Sequence, residues 1–365
     1  MTPDFVSESL PGRVVFGSGS RHRLDDEIDR LGSRRVVVIA AEEESAIADP
    51  IIASLGDRVV GRFAEVVQHV PDAVSERCTA LVVERRADAI VTIGGGSATG
   101  FGKVVRLSCD VASVAVPTTY AGSEMTPIWG RSADGDKRTG VDPRVKPDTV
   151  VYDPELTLSL PAAIAGPSGM NALAHCIEAL YGPGANPVTG VVALEGVRAL
   201  ATGLPEVCGP NDGIGPRSDV LYGAHLAGIA LASGGTALHH KACHVLGGMF
   251  NLDHGRMNAV LLAHALAYNA PAIGSLMPAI GRALGCAADQ APRAVRDLAI
   301  AIGAPTGLGE IGMPADGIAA AAARIVTAAA NNVRVPDVES IRAMLEDAHV
   351  GRPPSLTWLP VDAQT

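Results

Sequence analysis

Short, continuous runs of apolar residues rich in β-branched side chains occur four times before residue 155 and do not recur after it. They are RVVVIA at 35–40, AIVTI at 89–93, VASVAV at 111–116 and TVVY at 149–152. A strand that is apolar on both faces must be covered on both faces, which is the situation of a parallel sheet flanked by helices. Helix-length amphipathic stretches, Ser45–Leu55 and Asp72–Arg86, separate several of the runs, and VVFG at 14–17 adds an early strand. From Leu160 the texture changes to Ala-rich segments with helical periodicity: Ser168–Leu180, Pro187–Ala201, Ser218–Ala232, Thr236–Met249, Met257–Tyr268 and Ile318–Ala329. Pro-Gly punctuation at 182–184 and 209–213 separates some of them. The pattern predicts an α/β domain over residues 1–157 and an all-α domain over 158–365.

The net charge of −10 and the scarcity of aromatic residues (five Phe, five Tyr, two Trp) oppose nucleic-acid binding, which needs cations and stacking surfaces. No run approaches the roughly 18 apolar residues of a membrane span. The first residues lack both the basic and the apolar region of a secretory signal. Six cysteines without C-x-x-C spacing read as reduced thiols. The expectation is a cytoplasmic protein that binds neither nucleic acid nor membrane.

Two loops carry chemistry in the first half. The run at 89–93 passes directly into Gly94, Gly95, Gly96 and Ser97 and then a helix. Bare backbone followed by a helix N-terminus suits a pyrophosphate, although a tight turn that binds nothing has the same sequence. This is neither G-x-G-x-x-G nor a P-loop. The run at 111–116 leads into a hydroxyl-rich segment containing Thr118, Thr119 and Ser123, and ligands of open parallel sheets sit at that edge.

The second half holds a histidine constellation. His240 and His244 are four apart, hence on one face of a helix, whereas His239 points elsewhere and reads as structural. Gly247 and Gly248 suggest a helix end, after which His254 folds back toward the same pocket. His175 stands four residues after Asn171, again one face. Three imidazoles and a carboxylate would hold a divalent metal, but Asn171 occupies the carboxylate's place. Imidazoles in a desolvated cleft also serve as proton donors without a metal.

Together, GGGS at 94–97, PTT at 117–119, GSE at 122–124 and His-x3-His-x9-His from 240 to 254 resemble the iron-containing alcohol dehydrogenase family. The longer strings PTTYAGSEMTP (117–127), LHHKACH (238–244) and HALAYNAP (264–271) resemble its maleylacetate reductase branch. The resemblance spans about residues 10–355. It implies the fold of the iron-containing alcohol dehydrogenases and dehydroquinate synthase: a dinucleotide-binding α/β domain, a helical domain and a cleft between them. It implies that Gly94, Gly95, Gly96 and Ser97 cradle the NAD pyrophosphate, and that Thr118, Thr119 and Ser123 line the path from adenosine to ribose. Lys137 would also contact the cofactor, and Glu42 would bind the ribose hydroxyls, favouring NADH with NADPH as the alternative. The family's metal ligands map onto Asn171, His175, His240 and His254, and the Asp-to-Asn departure is that of the maleylacetate reductases, which implies that no tightly bound metal is required. The string Gly255-Arg256-Met257-Asn258 departs from that branch toward the general dehydrogenases.

The implied reaction is NADH-dependent reduction of the C=C bond of maleylacetate, or a related 4-oxo-2-enedioate, to 3-oxoadipate in the breakdown of aromatic compounds. His244, His254, His175 and His240 are the candidate catalytic groups. Tyr120, Lys241, Arg256 and Arg131 are the candidate partners of a dicarboxylic keto acid substrate. A homodimer is the implied assembly. The competing readings are a metal-dependent alcohol dehydrogenase, a dehydroquinate-synthase-like lyase and a catalytically inactive NAD-binding protein.

Overall fold

The computed structural model describes residues 5–7, 10–133 and 136–355, without the side chains of 133–137. Its contacts divide into two compact units, Ser9–Leu160 and, apart from the first eight residues, Pro161–Thr365.

The first unit contains β1 (Arg13–Phe16), α1 (Leu24–Arg30), β2 (Val36–Ile39), α2 (Ser45–Leu55), β3 (Val59–Phe63), α3 (Asp72–Glu84), β4 (Ala89–Gly94), α4 (Gly96–Ser108), β5 (Ala112–Pro117), β6 (Ile128–Ala133), β7 (Asp136–Val141) and β8 (Thr149–Tyr152). Six strands form a parallel sheet in the order β1-β8-β5-β4-β2-β3. The continuous apolar runs are explained by its two buried faces. Val36, Val38, Val91, Ile93, Val114 and Val116 pack on one side, and Val37, Ile39 and Ile90 pack with Phe101 and Val104 on the other. Helix α4 lies flush on β4, since a Cβ at Gly102 would come within 2.5 Å of the Thr92 Cγ2.

The α/β character and most strand positions agree with the sequence reading, but three strands do not follow from it. β3 (VVGRF) carries Gly61 and Arg62 and is half-buried on the sheet edge, so no apolar run marks it. β6 and β7 pair antiparallel as a separate hairpin built from mixed polar sequence.

The second unit is helical: α5 (Ala162–Ala179), α6 (Pro187–Val207), α7 (Ile214–Gly234), α8 (Leu238–Phe250), α9 (His254–Asn269), α10 (Met277–Leu284), α11 (Ala291–Ala301), α12 (Ile318–Ala328) and α13 (Val338–His349). α5 begins six residues before the predicted Ser168, because Pro167 interrupts one hydrogen bond without breaking a helix whose following face is buried. Gly247 and Gly248 do not end a helix. α8 continues to Phe250, and the reversal is made by Asn251 in the left-handed region (φ 51°) and by Asp253, whose carboxylate caps α9. α8, α9, α12 and α13 share one apolar core. Among the described residues, no helix is long and apolar enough to cross a membrane.

Candidate active site

The edge of the sheet formed by the strand carboxyl ends positions the first set of residues. β4 and β5 end in register, Gly94 opposite Pro117, and the Thr118 N–H donates to the Gly94 carbonyl at 3.1 Å. The two loops therefore leave the sheet side by side. Gly94 has φ 141°, and a Cβ there would lie 3.0 Å from the Ala98 Cβ. A Cβ on Gly95 would lie 3.0 Å from the Thr119 side chain. Gly95 supplies no side-chain cap to α4, so the first N–H groups of that helix carry the partial positive charge that suits a phosphate. This bare cradle fits a dinucleotide pyrophosphate. Gly96 is exposed, Ser97, Thr119 and Ser123 are half-buried, and Thr118 is buried.

Two acidic side chains stand near this edge, Glu42 and Glu44. The Glu42 side chain is 79% exposed, with its nearest guanidinium, Arg62, 4.0 Å away. It is Glu44 that accepts the Thr118 hydroxyl at 3.2 Å and stands beside Gly94. Burial pushes the Glu44 carboxyl up, and the Thr118 hydrogen bond pulls it back. Arg131 is engaged by Asp72, Nε to Oδ1 3.4 Å, and lies 5.9 Å over the Trp129 ring. Tyr120 is fully buried. The Lys137 side chain lies outside the described residues.

In the helical unit, α5 presents Asn171, His175 and Glu178 at positions i, i+4 and i+7, one stripe along the helix. Each meets a different partner. The Asn171 Oδ1 accepts from the Asn258 Nδ2 at 3.0 Å. The His175 ring stacks on His240, centroids 4.5 Å apart and 16° between planes. Glu178, fully buried, receives the start of α8: its oxygens accept from the His239 N–H at 2.7 Å, the His240 N–H at 3.4 Å and the His240 Nδ1 at 2.7 Å.

Glu178 was not singled out from the sequence. The available signal was that α5 carries no other charged residue, at helical spacing from His175. The carboxylate already accepts from main-chain N–H groups, so the His240 Nδ1 is the donor to it and Nε2 keeps its lone pair. Burial lowers the His240 imidazole to about 3, and His175 also falls far below its ordinary value, first through burial and then through the neighbouring imidazoles. Burial pushes Glu178 up, opposed by His239 and the N–H groups of the α8 N-terminus.

His239 is structural, as read from the sequence. It is fully buried, its Nε2 is 3.1 Å from the Asn258 carbonyl, and burial lowers it to about 3. The reversal between α8 and α9 brings His254 to His244, rings stacked at 6.3 Å, with His240 6.4 Å from His244. The structure thus gathers His175, His240, His244 and His254 into one chain of rings. His244 and His254 are exposed, as are Lys241 and Arg256 on the same two helices.

Two ring nitrogens, Nδ1 of His175 and Nε2 of His240, are buried without a hydrogen-bond partner among the described residues. They are suited to receive a ligand or a cation. The four residues onto which the family's metal ligands map, Asn171, His175, His240 and His254, nevertheless fit a firmly held ion poorly. Their donors are three imidazoles and an amide whose oxygen already accepts from Asn258, a set without a carboxylate of its own. Glu178, His239 and His240 also cluster, but the Glu178 oxygens, the His240 Nδ1 and the His239 Nε2 are engaged with one another, with the α8 N–H groups and with the Asn258 carbonyl.

Comparison with known proteins agrees over both units. A family model described as iron-containing alcohol dehydrogenase matches residues 11–154, and one described as the C-terminal part of the Fe-containing alcohol dehydrogenase family matches residues 166–349. The maleylacetate reductase of Sphingobium indicum is 46% identical over 350 residues, 96% of this chain and 99% of that protein. The crystal structure of maleylacetate reductase from Agrobacterium tumefaciens superposes with a TM-score of 0.92 at 39% identity, covering 96% of this chain and all of that one. Sulfoacetaldehyde reductase from Bifidobacterium kashiwanohense, solved with NAD+, shares the fold (TM-score 0.87, 21% identity, covering 95% of this chain and 99% of that one).

Proposed function

The chain is an oxidoreductase belonging to the iron-containing alcohol dehydrogenase family, and on that premise we propose that it reduces the carbon–carbon double bond of maleylacetate to give 3-oxoadipate, using NADH. What carries the reading is full-length similarity to maleylacetate reductases in a chain that presents the neutral Asn171 where a metal site wants a carboxylate.

A nicotinamide dinucleotide held at the glycine loop would supply the hydride, which the reduction requires at the alkene carbon β to the ketone. The electron pair of the double bond moves toward the ketone oxygen as an enolate, and a proton must reach the carbon between them. The site therefore needs a donor at the oxygen and an acid near the carbon. Gly94, Gly95, Gly96 and Ser97 hold the pyrophosphate, with Thr118, Thr119 and Ser123 lining the remainder and Glu44 meeting the ribose hydroxyls. His244 and His254, the exposed pair of the ring chain, handle the proton. His240, oriented by Glu178, and His175, stacked on it, support them from the buried end of the ring chain. Lys241 and Arg256 receive the substrate carboxylates. Arg131, already paired with Asp72, is left out of this assignment. No step in this scheme needs a tightly held metal.

The test is NADH absorbance with freshly generated maleylacetate in the presence of chelator, alongside simple aldehydes. Oxidation that survives the chelator supports the scheme. Silence on maleylacetate, with aldehyde turnover restored by Fe2+ or Zn2+, would overturn it in favour of a metal-dependent dehydrogenase, the reading that the GRMN string after His254 favours.

A further inference from the structure

Lys103 sits two turns into α4, the helix that starts at the glycine loop, and is only 3% exposed. Lysine is rarely buried unless its charge is paired, because the ammonium loses its hydration. Here every N–H of the ammonium has an acceptor. Nζ donates to the Ser123 carbonyl at 2.6 Å, the Thr126 hydroxyl at 3.0 Å and the Ile128 carbonyl at 2.7 Å. All three belong to the segment that continues the loop after β5. Beside them the fully buried Glu124 accepts the Tyr152 hydroxyl at 2.7 Å and supplies the opposing charge. One network therefore ties α4, the hydroxyl-bearing loop and the end of β8.

We propose that Lys103 is a positioning residue for the nucleotide: it clamps the 118–128 loop to the same helix whose N-terminus forms the pyrophosphate cradle, and so sets the spacing between the two sides of the cofactor site. Ser123 makes the link direct, since its carbonyl is held by Lys103 while its hydroxyl is one of the groups assigned to the dinucleotide. Gly122 lets the chain turn there, at φ 74°. The lysine does not touch the cofactor and takes no part in proton or hydride transfer. It acts through the loop.

The inference rests on the dinucleotide reading, and the experiment separates the two. NADH dissociation constants are measured by fluorescence for the wild type and for Lys103→Met, with a melting curve for each, followed by steady-state kinetics with maleylacetate. The expected result is a tenfold or greater rise in the NADH dissociation constant and KM in a variant that melts cooperatively. At saturating NADH, kcat should stay within threefold and the KM for maleylacetate should be unchanged. A folded Lys103→Met with NADH affinity within twofold of wild type would overturn the clamp while leaving the nucleotide reading intact. A wild type that binds no NADH would overturn the nucleotide reading and the clamp with it. Should Lys103→Met not fold, Thr126→Val decides. It removes one of the three acceptors and should raise the dissociation constant two- to fivefold; an unchanged value would overturn the clamp.

Discussion

Replacing Glu178 with Gln probes the buried end of the histidine chain while keeping the size of the side chain. The carboxylate accepts two short bonds, from the His239 N–H and the His240 Nδ1, and a longer one from the His240 N–H. An amide has one acceptor and one NH2, so one of the two short bonds becomes neutral and the other meets a donor. Bonds to a charged group contribute about 1.5–3 kcal/mol against about 0.5–1.5 for neutral ones, which sets the lost contacts at about 2–4 kcal/mol. Removing a buried charge offsets part of this, leaving a net loss of about 1–3 kcal/mol. In a helical unit of this size that corresponds to a melting temperature lower by about 2–12 °C. The functional effect follows from the tautomer. If the amide NH2 turns to the His240 Nδ1, the ring proton moves to Nε2 and the unpartnered lone pair is lost. Outer partners that orient metal-bound histidines are worth about 10–100-fold, and the same tautomer-fixing role sets a comparable loss here. The expected result in steady-state assays is therefore a fall in kcat of that size with an unchanged KM for NADH, because the nucleotide loops are untouched. A folded Glu178→Gln enzyme with kcat within twofold of wild type would refute the orienting role.

Two further outcomes are expected. Gly94→Ala places a side chain at φ 141° and 3.0 Å from the Ala98 Cβ, a strain on the order of 1–3 kcal/mol located at the cradle; NADH titration should give at least tenfold weaker binding, and equal affinity would remove Gly94 from the site. His264 is buried and burial lowers it to about 4, so the unfolded chain binds the extra proton between that value and 6.5 and stability falls as pH drops through this window. By pH 5 this amounts to about 2 kcal/mol, and urea unfolding at pH 7 and pH 5 should show His264→Gln losing that much of the wild type's acid sensitivity; an identical pH dependence would contradict the assignment.

Sequence periodicity located the elements whose burial is two-sided or one-sided and regular: β2, β4, β5 and β8 read as apolar runs, and α2 matches its predicted limits. It failed where burial is partial, as in edge strand β3, or where pairing rests on main-chain bonds between polar residues, as in β6 and β7. Histidine spacing pointed to the ring chain because i, i+4 neighbours share a helix face whatever the tertiary fold. Glu44, Glu178 and Lys103 were not legible in that way. Each matters through a partner far along the chain, Thr118, the α8 N-terminus and the 123–128 segment, and no local period encodes such a meeting.

The stripe of Asn171, His175 and Glu178 has a consequence for how such a site diversifies. Successive α-helical residues are turned by about 100°, so inserting or deleting a single residue within α5 would swing the positions beyond it off the face shared with α8 and α9. Substitution at position 171 leaves that alignment intact, since His240 is gripped from the far end of the stripe by Glu178. Chemistry can therefore drift at one end of this helix by exchange of single side chains, while a change in its length would dismantle every station at once.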